Sequence, residues 1–184
     1  MQPRSRPKVV FTGPESTGKT TLAQLLATHY NTAWVPEYAR TYLASLHRDY
    51  RYEDLEKIAQ GQIQWEEDYK ERARNYLFCD TGLLVLRVWS EVRYGKCSSF
   101  ILDRLAEKPY AAFILCGTDI PWEYDPLREH PEHRDQLYEL YLQHLHTLKV
   151  PFLEVKGAIR QRQDLVSQFL SSLESEAPYF RASD

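Results

Sequence analysis

Residues 13–20 read Gly13-Pro14-Glu15-Ser16-Thr17-Gly18-Lys19-Thr20. The octapeptide fits the G-x-x-x-x-G-K-[ST] phosphate loop, and each fixed position has a physical task. The glycines let the chain turn sharply and bring backbone N–H groups close to phosphate oxygens. A helix opening near Gly18 adds the positive end of its dipole. Lys19 supplies a point charge between the outer phosphates, and Thr20 a hydroxyl for Mg²⁺. Glu15, Ser16, Thr17 and Thr21 complete the expected nucleotide-contacting stretch.

The flanks of the loop have the pattern that the motif requires. Residues 8–12 form a β-branched and aromatic run that reads as a buried strand. Residues 18–30 follow as a helix, with Leu22, Leu25 and Leu26 at helical spacing. Further strands are expected at 33–35, 76–79, 111–116 and 152–155. Helices are expected at 38–46, 53–74, 83–94 and 159–173. Leu55, Ile58, Ile63 and Trp65 are the candidate core contacts of the long polar helix, which Gly61 weakens.

Strands alternating with helices along a whole chain imply a parallel sheet covered on both faces. The expected architecture is therefore an α/β P-loop NTPase fold with a five-stranded parallel sheet, in a single domain over residues 1–184. Residues 1–7 read as a loose N-terminal arm. Residues 121–133 are dense in proline, charge and aromatics and read as a mobile active-site segment, a small lid over about 121–135.

Composition narrows the function classes. Hydrophobic residues make up 43% and charged residues 27%, which argues against wholesale disorder. The formal charge of -3 disfavours a general nucleic-acid binder. The most apolar stretch, 111–116, is far below the roughly 20 residues that a bilayer span needs. Cys79, Cys97 and Cys116 show no C-x-x-C spacing and point to free thiols in a reducing cytoplasm. His130 and His133, and His144 and His146, have no partners at zinc spacing and read as surface residues. Homo-oligomerisation is left open.

In open α/β sheets ligands sit beyond the C-terminal strand ends, where Glu37, Asp80 and Asp119 fall. Asp80 ends a hydrophobic strand and suits Mg²⁺ coordination together with Thr20; the bland alternative is a helix N-cap. Glu37 suits a base for an incoming hydroxyl, or a water-mediated Mg²⁺ contact; the alternative is a dipole-favoured surface carboxylate. Asp119 suits substrate hydroxyls or a plain turn. Arg40, Arg128 and Arg134 are candidates for stabilising phosphoryl-transfer charge, the last two from the lid segment. Tyr38, Tyr42, Trp89, Trp122 and Tyr124 lie near the inferred ligand edge, where a ring can stack on a base or a pyridinium. Core packing is the preferred reading of Trp89.

Four segments in order carry a resemblance. They are the phosphate loop, Pro36-Glu37-Tyr38-Ala39-Arg40, Phe78-Cys79-Asp80-Thr81, and Asp119-Ile120-Pro121-Trp122 with Arg128 downstream. Together they resemble the nicotinamide riboside kinase domain of bacterial NadR-type proteins, over residues 8–173. That family is classed with AAA-like P-loop ATPases and shares the nucleoside/nucleotide-kinase architecture. The resemblance implies ATP- and Mg²⁺-dependent phosphorylation of the ribose 5′-hydroxyl of nicotinamide riboside, giving nicotinamide mononucleotide. It implies nucleotide-phosphate roles for Gly13, Gly18, Lys19 and Thr20. It also implies a base or magnesium role for Glu37 and Asp80, and a lid role for Arg128. Substrate contacts are then expected from Glu37, Tyr38, Arg40, Tyr42, Asp80, Asp119 and Trp122. The H-x-G-H nucleotidyltransferase signature is absent, so neither adenylyl transfer nor repression is expected of this chain. Phosphorylation of another nucleoside or small metabolite, or an ATPase switch, are the rival expectations.

Overall fold

Five short apolar runs become the strands of one parallel sheet in the computed structural model, which describes residues 6–124 and 132–176. In chain order the elements begin with β1 (Lys8–Thr12), α1 (Lys19–His29), β2 (Trp34–Val35), α2 (Tyr38–Ser45) and α3 (Tyr52–Lys70). There follow β3 (Leu77–Asp80), α4 (Leu83–Tyr94), α5 (Ser99–Ala106) and β4 (Ala112–Cys116). The chain then forms α6 (Arg134–Leu148), β5 (Phe152–Val155) and α7 (Ile159–Glu176). The strand order is β2-β3-β1-β4-β5, and every pairing is parallel. This is the P-loop NTPase fold expected from the sequence.

Alternation along the strands sorts the core into two layers. Val10, Leu77, Cys79, Phe113 and Leu115 point to the face covered by α2–α6. Val9, Phe11, Phe78, Ile114 and Cys116 point to the face covered by α1 and α7, against Leu22, Leu26, Val166 and Leu170. Both faces are dry, so the central strands read as continuous apolar runs. Cys79 and Cys116 are buried free thiols, as expected of small core residues.

Two helices were absent from the expectation. Ser98 caps α5 by accepting the Ile101 N–H, and Ile101 and Leu105 turn inward. Helix α6 buries Tyr138, Tyr141 and Leu145, so its apolar stripe is largely tyrosine. Arg134, assigned to the lid, is the first residue of α6. Of the expected lid, residues 121–124 have no regular structure, and Arg128 lies outside the described residues. His144 is also not a surface residue. Its Nε2 meets Glu91 Oε2 at 2.7 Å, where α6 packs on α4, and its side chain is 12% exposed. Burial and the nearby Arg87 charge hold its pKa below the usual histidine range.

Gly61 has a tertiary reason for being in a helix. A Cβ there would meet the Tyr38 ring at 2.0 Å, so α2 and α3 touch through a position that only glycine fits. The Tyr38 ring cannot easily step aside, because it stands edge-on to Trp65 with centroids 4.9 Å apart. Alanine gains about 1 kcal/mol in helix propensity, but it must displace a packed aromatic ring, an overpacking cost of about 1–3 kcal/mol. Gly61→Ala is therefore expected to lower the unfolding midpoint in urea, even though it improves the local helix. A midpoint at or above wild type would show that the ring has room to move.

Candidate active site

The loops that leave β1, β2 and β3 meet at one end of the sheet. They line a cleft of about 340 Å³ together with residues from α2, α4, α6 and the segment after β4. Residues 13–21 form its floor. Gly13 has φ +127°, and a Cβ there would meet the Cys116 carbonyl oxygen at 2.8 Å, so the loop can press on β4 only as glycine. Gly18 is the N-cap of α1, with no side-chain cap and no acidic residue in the first turn. The N-cap therefore gives the first N–H groups of the helix no side-chain acceptor, and the dipole end suits an anion. Lys19 Nζ donates to the carbonyls of Gly13 at 3.0 Å and Pro14 at 2.6 Å, which curls its charge over the loop.

Glu37 and Asp80 stand at the ends of neighbouring strands, and both line the cleft. The helix-cap alternative for Asp80 is excluded, and Glu37, which stands at the N-cap position of α2, is half-buried rather than a surface carboxylate. Glu37 makes no side-chain cap to α2, and the N-cap of α4 is Gly82, with no side-chain cap from Asp80. Asp80 is 3% exposed and accepts a 2.6 Å hydrogen bond from Thr20 Oγ1. Burial pushes its carboxyl above the usual range, against the pull of Thr20, Lys19 and Arg40. Burial also raises the Glu37 carboxyl, and the Asp80 charge raises it further, while Lys19 and Arg40 work against both. Arg40 Nε donates to Glu37 Oε2 at 3.1 Å.

Immediately after Asp80, Thr81 adopts φ +72°, a conformation that a β-branched residue rarely takes. Its N–H is tied to the Phe11 carbonyl at 3.2 Å. Strain of this kind, about 1–3 kcal/mol, persists where the surroundings fix a turn, and here it sets the direction in which Asp80 leaves the sheet.

The far wall of the cleft is apolar, formed by Leu43, Val85, Val88, Trp89, Val92, Leu137 and Tyr141. Trp89 is half-buried, and its Nε1 donates to Tyr50 Oη at 2.7 Å, which fixes the indole plane. Trp89 packs against the core layer, as the preferred reading has it, and it also lines the cleft.

Several expected contact residues do other work. Tyr38 packs on α3, and Tyr42 Oη donates to Asp54 Oδ1 at 2.9 Å; neither lines the cleft. Trp122 lies under the Arg134 guanidinium, 6.0 Å from ring centroid to Cζ, also away from the cleft lining. Asp119 is committed to structure. It accepts the Gly157 N–H at 2.7 Å and Arg162 Nη2 at 2.7 Å. Burial opposes its charge, but those two partners hold its carboxyl below the usual range. Arg134 Nη2 donates to the carbonyls of Ser16 and Ile120, so in this structure it braces the phosphate loop. Ser16 Oγ accepts the Glu123 N–H at 2.9 Å, which pins the segment after β4 onto the same loop.

Arg162 was missed entirely. It is fully buried, and it donates to the Thr17 carbonyl at 2.8 Å, the Gly157 carbonyl at 2.9 Å and Asp119. It thereby ties the phosphate loop to the β5–α7 turn. Its sequence context, Arg160-Gln161-Arg162-Gln163, looks like a solvated helix face and gives no sign of burial.

The geometry has counterparts in known proteins. The family model described as AAA domain matches residues 8–162. The chain belongs to that family. The trifunctional NAD biosynthesis/regulator protein NadR of Escherichia coli (strain K12) is 29% identical over 172 residues, which is 90% of this chain and 41% of that protein. The chain thus spans about two fifths of the length of this curated relative. Among solved structures, a NadR protein in complex with NR superposes with a TM-score of 0.72 at 20% identity, over 91% of this chain and 51% of that one. Thymidylate kinase from Candida albicans superposes with a TM-score of 0.68 at 11% identity, over 98% and 96%. At such identities the structures speak for a shared fold, and that fold carries kinases. Among the described residues, no helix is long and apolar enough to cross a membrane. Among the same residues, no group of three or more His, Cys, Asp or Glu side chains is placed to hold a metal by itself.

Proposed function

We propose that this chain is an ATP-dependent small-molecule kinase acting on the ribose 5′-hydroxyl of nicotinamide riboside and yielding nicotinamide mononucleotide. The observation that carries the reading is the meeting, in one cleft, of an uncapped phosphate-loop helix, two strand-end carboxylates (Asp80 buried, Glu37 half-buried) and an apolar aromatic wall. Similarity to NadR, and to a NadR protein solved with NR, supports the choice of acceptor.

The donor set fits Mg²⁺. The Thr20 hydroxyl and the Asp80 carboxylate are hard oxygen ligands already within 2.6 Å of each other. A bound Mg²⁺ would neutralise charge on the outer phosphates. Backbone N–H groups of Gly13 and of residues 15–18, and the Lys19 ammonium, would hold the phosphates. The acceptor hydroxyl would approach beside Glu37, whose carboxylate accepts its proton, while Arg40 keeps that carboxylate oriented. The flat cationic ring of the acceptor would lie along Trp89, because an electron-rich indole face attracts a cation. Catalysis on this plan is positioning and charge stabilisation. Arg128 is proposed to close over the phosphates from the segment after β4, and Arg134 to hold that segment to the loop.

The test is turnover with ATP and Mg²⁺, with and without nicotinamide riboside, following ADP and nicotinamide mononucleotide together. The expected result is a strong rise in ADP release on adding the riboside, with product formed one for one. ADP release that ignores the riboside, while another nucleoside stimulates it, would move the assignment to that nucleoside. Stimulation by no small acceptor would favour an ATPase switch.

A further inference from the structure

We propose that Glu66, with its neighbours Gln62 and Tyr110, forms a buried positioning frame for the two active-site carboxylates; the inference rests on the kinase reading of Glu37 and Asp80. None of the three lines the cleft, and each is at most 3% exposed. They lie behind the site, on the inward face of α3 and just before β4.

One arm of the frame reaches Glu37. Gln62 Oε1 accepts the Tyr38 N–H at 2.9 Å, a donor in the first turn of α2 that the helix itself leaves free. The Tyr38 ring rests on Gly61, the residue before Gln62. The chain is therefore held by backbone and by ring one residue after Glu37. With no cap duty of its own, the Glu37 side chain is left to the cleft.

The other arm reaches Asp80. Tyr110 Oη accepts the Leu83 N–H at 3.1 Å and donates to Glu66 Oε1 at 3.1 Å. Leu83 opens α4, and Gly82, the N-cap, has no side chain to do that work. The phenol oxygen also lies 3.0 Å from where a Gly82 Cβ would stand, so the turn after Asp80 is pressed against it. Glu66 Oε2 completes the frame by accepting from Lys8 Nζ at 3.0 Å, on the strand that runs into the phosphate loop. One carboxylate thus connects β1 with the start of α4. Gln62, one helical turn away on the same face, holds α2 by its own bond to the Tyr38 N–H, and its buried Nε2 makes no hydrogen bond to Glu66.

Stability alone does not call for this arrangement. Burying an ion pair, an amide and a phenol is no more favourable than filling the same volume with apolar side chains. A directional network does fix where two chain turns sit, and the reaction depends on that placement, since a displacement of about 1 Å can lower a rate about a hundredfold.

The experiment compares Gln62→Met and Tyr110→Phe, which keep volume and remove one acceptor or one hydroxyl, with Gln64→Met on the exposed face of α3. Three quantities are read: kcat/KM for the acceptor, the ratio of ADP released to product formed, and affinity for a non-hydrolysable ATP analogue. The ratio does not depend on how much of the protein is folded, so simple destabilisation leaves it unchanged. The expected result for both frame variants is a fall in acceptor kcat/KM of about tenfold or more, a ratio rising above one, and analogue affinity within twofold of wild type. Gln64→Met is expected to match wild type in all three. Frame variants that match Gln64→Met overturn the proposal, as does analogue affinity that falls in step with turnover. If the wild type ignores nicotinamide riboside, the substrate assignment is what has failed. The same variants are then compared on the acceptor that it does use, or on water in ATP hydrolysis. There, loss confined to the frame variants supports the frame, and equality overturns it.

Discussion

Lys19→Ala is expected to lower kcat/KM for ATP-dependent phosphorylation by about a thousandfold, the scale of removing one preorganised donor from a transition state. Unfolding should scarcely change. Among the described residues the ammonium is hydrogen-bonded to the carbonyls of Gly13 and Pro14, which belong to the loop itself and can turn to water when the side chain is gone. The charge therefore belongs to the function more than to the fold. It faces two carboxylates whose protonation it opposes, so its removal should also raise the Glu37 and Asp80 pKa values further. Lys19→Arg should not restore the rate, because a planar fork does not fit the site of a compact ammonium. Turnover assays with circular dichroism of the same samples check the pair of statements. Retention of more than a tenth of wild-type turnover by Lys19→Ala would mean that the loop is not the phosphate site.

The phosphate loop was legible because its chemistry is local: the eight residues, the strand before them and the helix after them lie within one βα unit. The alternation of apolar runs gave the sheet for the same reason. What stayed illegible depends on partners far away in sequence. Gly61 looks like a flaw in α3 until the Tyr38 ring is placed on it, 23 residues earlier in the chain. Arg162 looks solvated until Thr17 and Asp119 are seen to surround it. Asp119 illustrates the converse error. A strand-end aspartate has the same sequence signature whether it faces a substrate or a buried guanidinium, and here the guanidinium takes it. Helix α6 was overlooked because its inward stripe carries Tyr138 and Tyr141, which a hydropathy pattern counts as nearly polar. Trp89 was half legible: a tryptophan in an apolar helix signals burial, but not that the residue would also line the cleft.

Asp80→Asn should abolish the proposed kinase activity and stabilise the free protein at once: the carboxylate is buried beside Thr20 at the phosphate loop, where its charge is costly to the fold. The sign follows from the raised pKa. The folded-state value lies above the ordinary 3.8, so the folded protein holds that proton more tightly than the unfolded chain does. Well below pH 3.8 the group is neutral in both states and contributes no pH dependence. As pH rises past that value the unfolded chain ionises first, and stability falls until the folded-state pKa is passed. Above the folded-state pKa the whole penalty is present. Asparagine removes it while keeping an oxygen to accept the Thr20 hydroxyl. The unfolding temperature of Asp80→Asn should therefore exceed wild type at pH 7, and the difference should shrink on acidification toward the ordinary aspartate range. Turnover should fall by about a hundredfold or more, the scale of losing a charged group that acts in the transition state. Glu37→Gln should lose activity comparably, but the Mg²⁺ dependence separates the two. Raising Mg²⁺ should recover part of the Asp80→Asn deficit, since that variant still offers the Thr20 hydroxyl and an amide oxygen, and should recover none of the Glu37→Gln deficit. If the responses are reversed, Glu37 is the metal ligand and Asp80 the base. If Asp80→Asn is not stabilised at pH 7, the Asp80 carboxylate is solvated in the free protein, and the cleft is wetter than its geometry indicates.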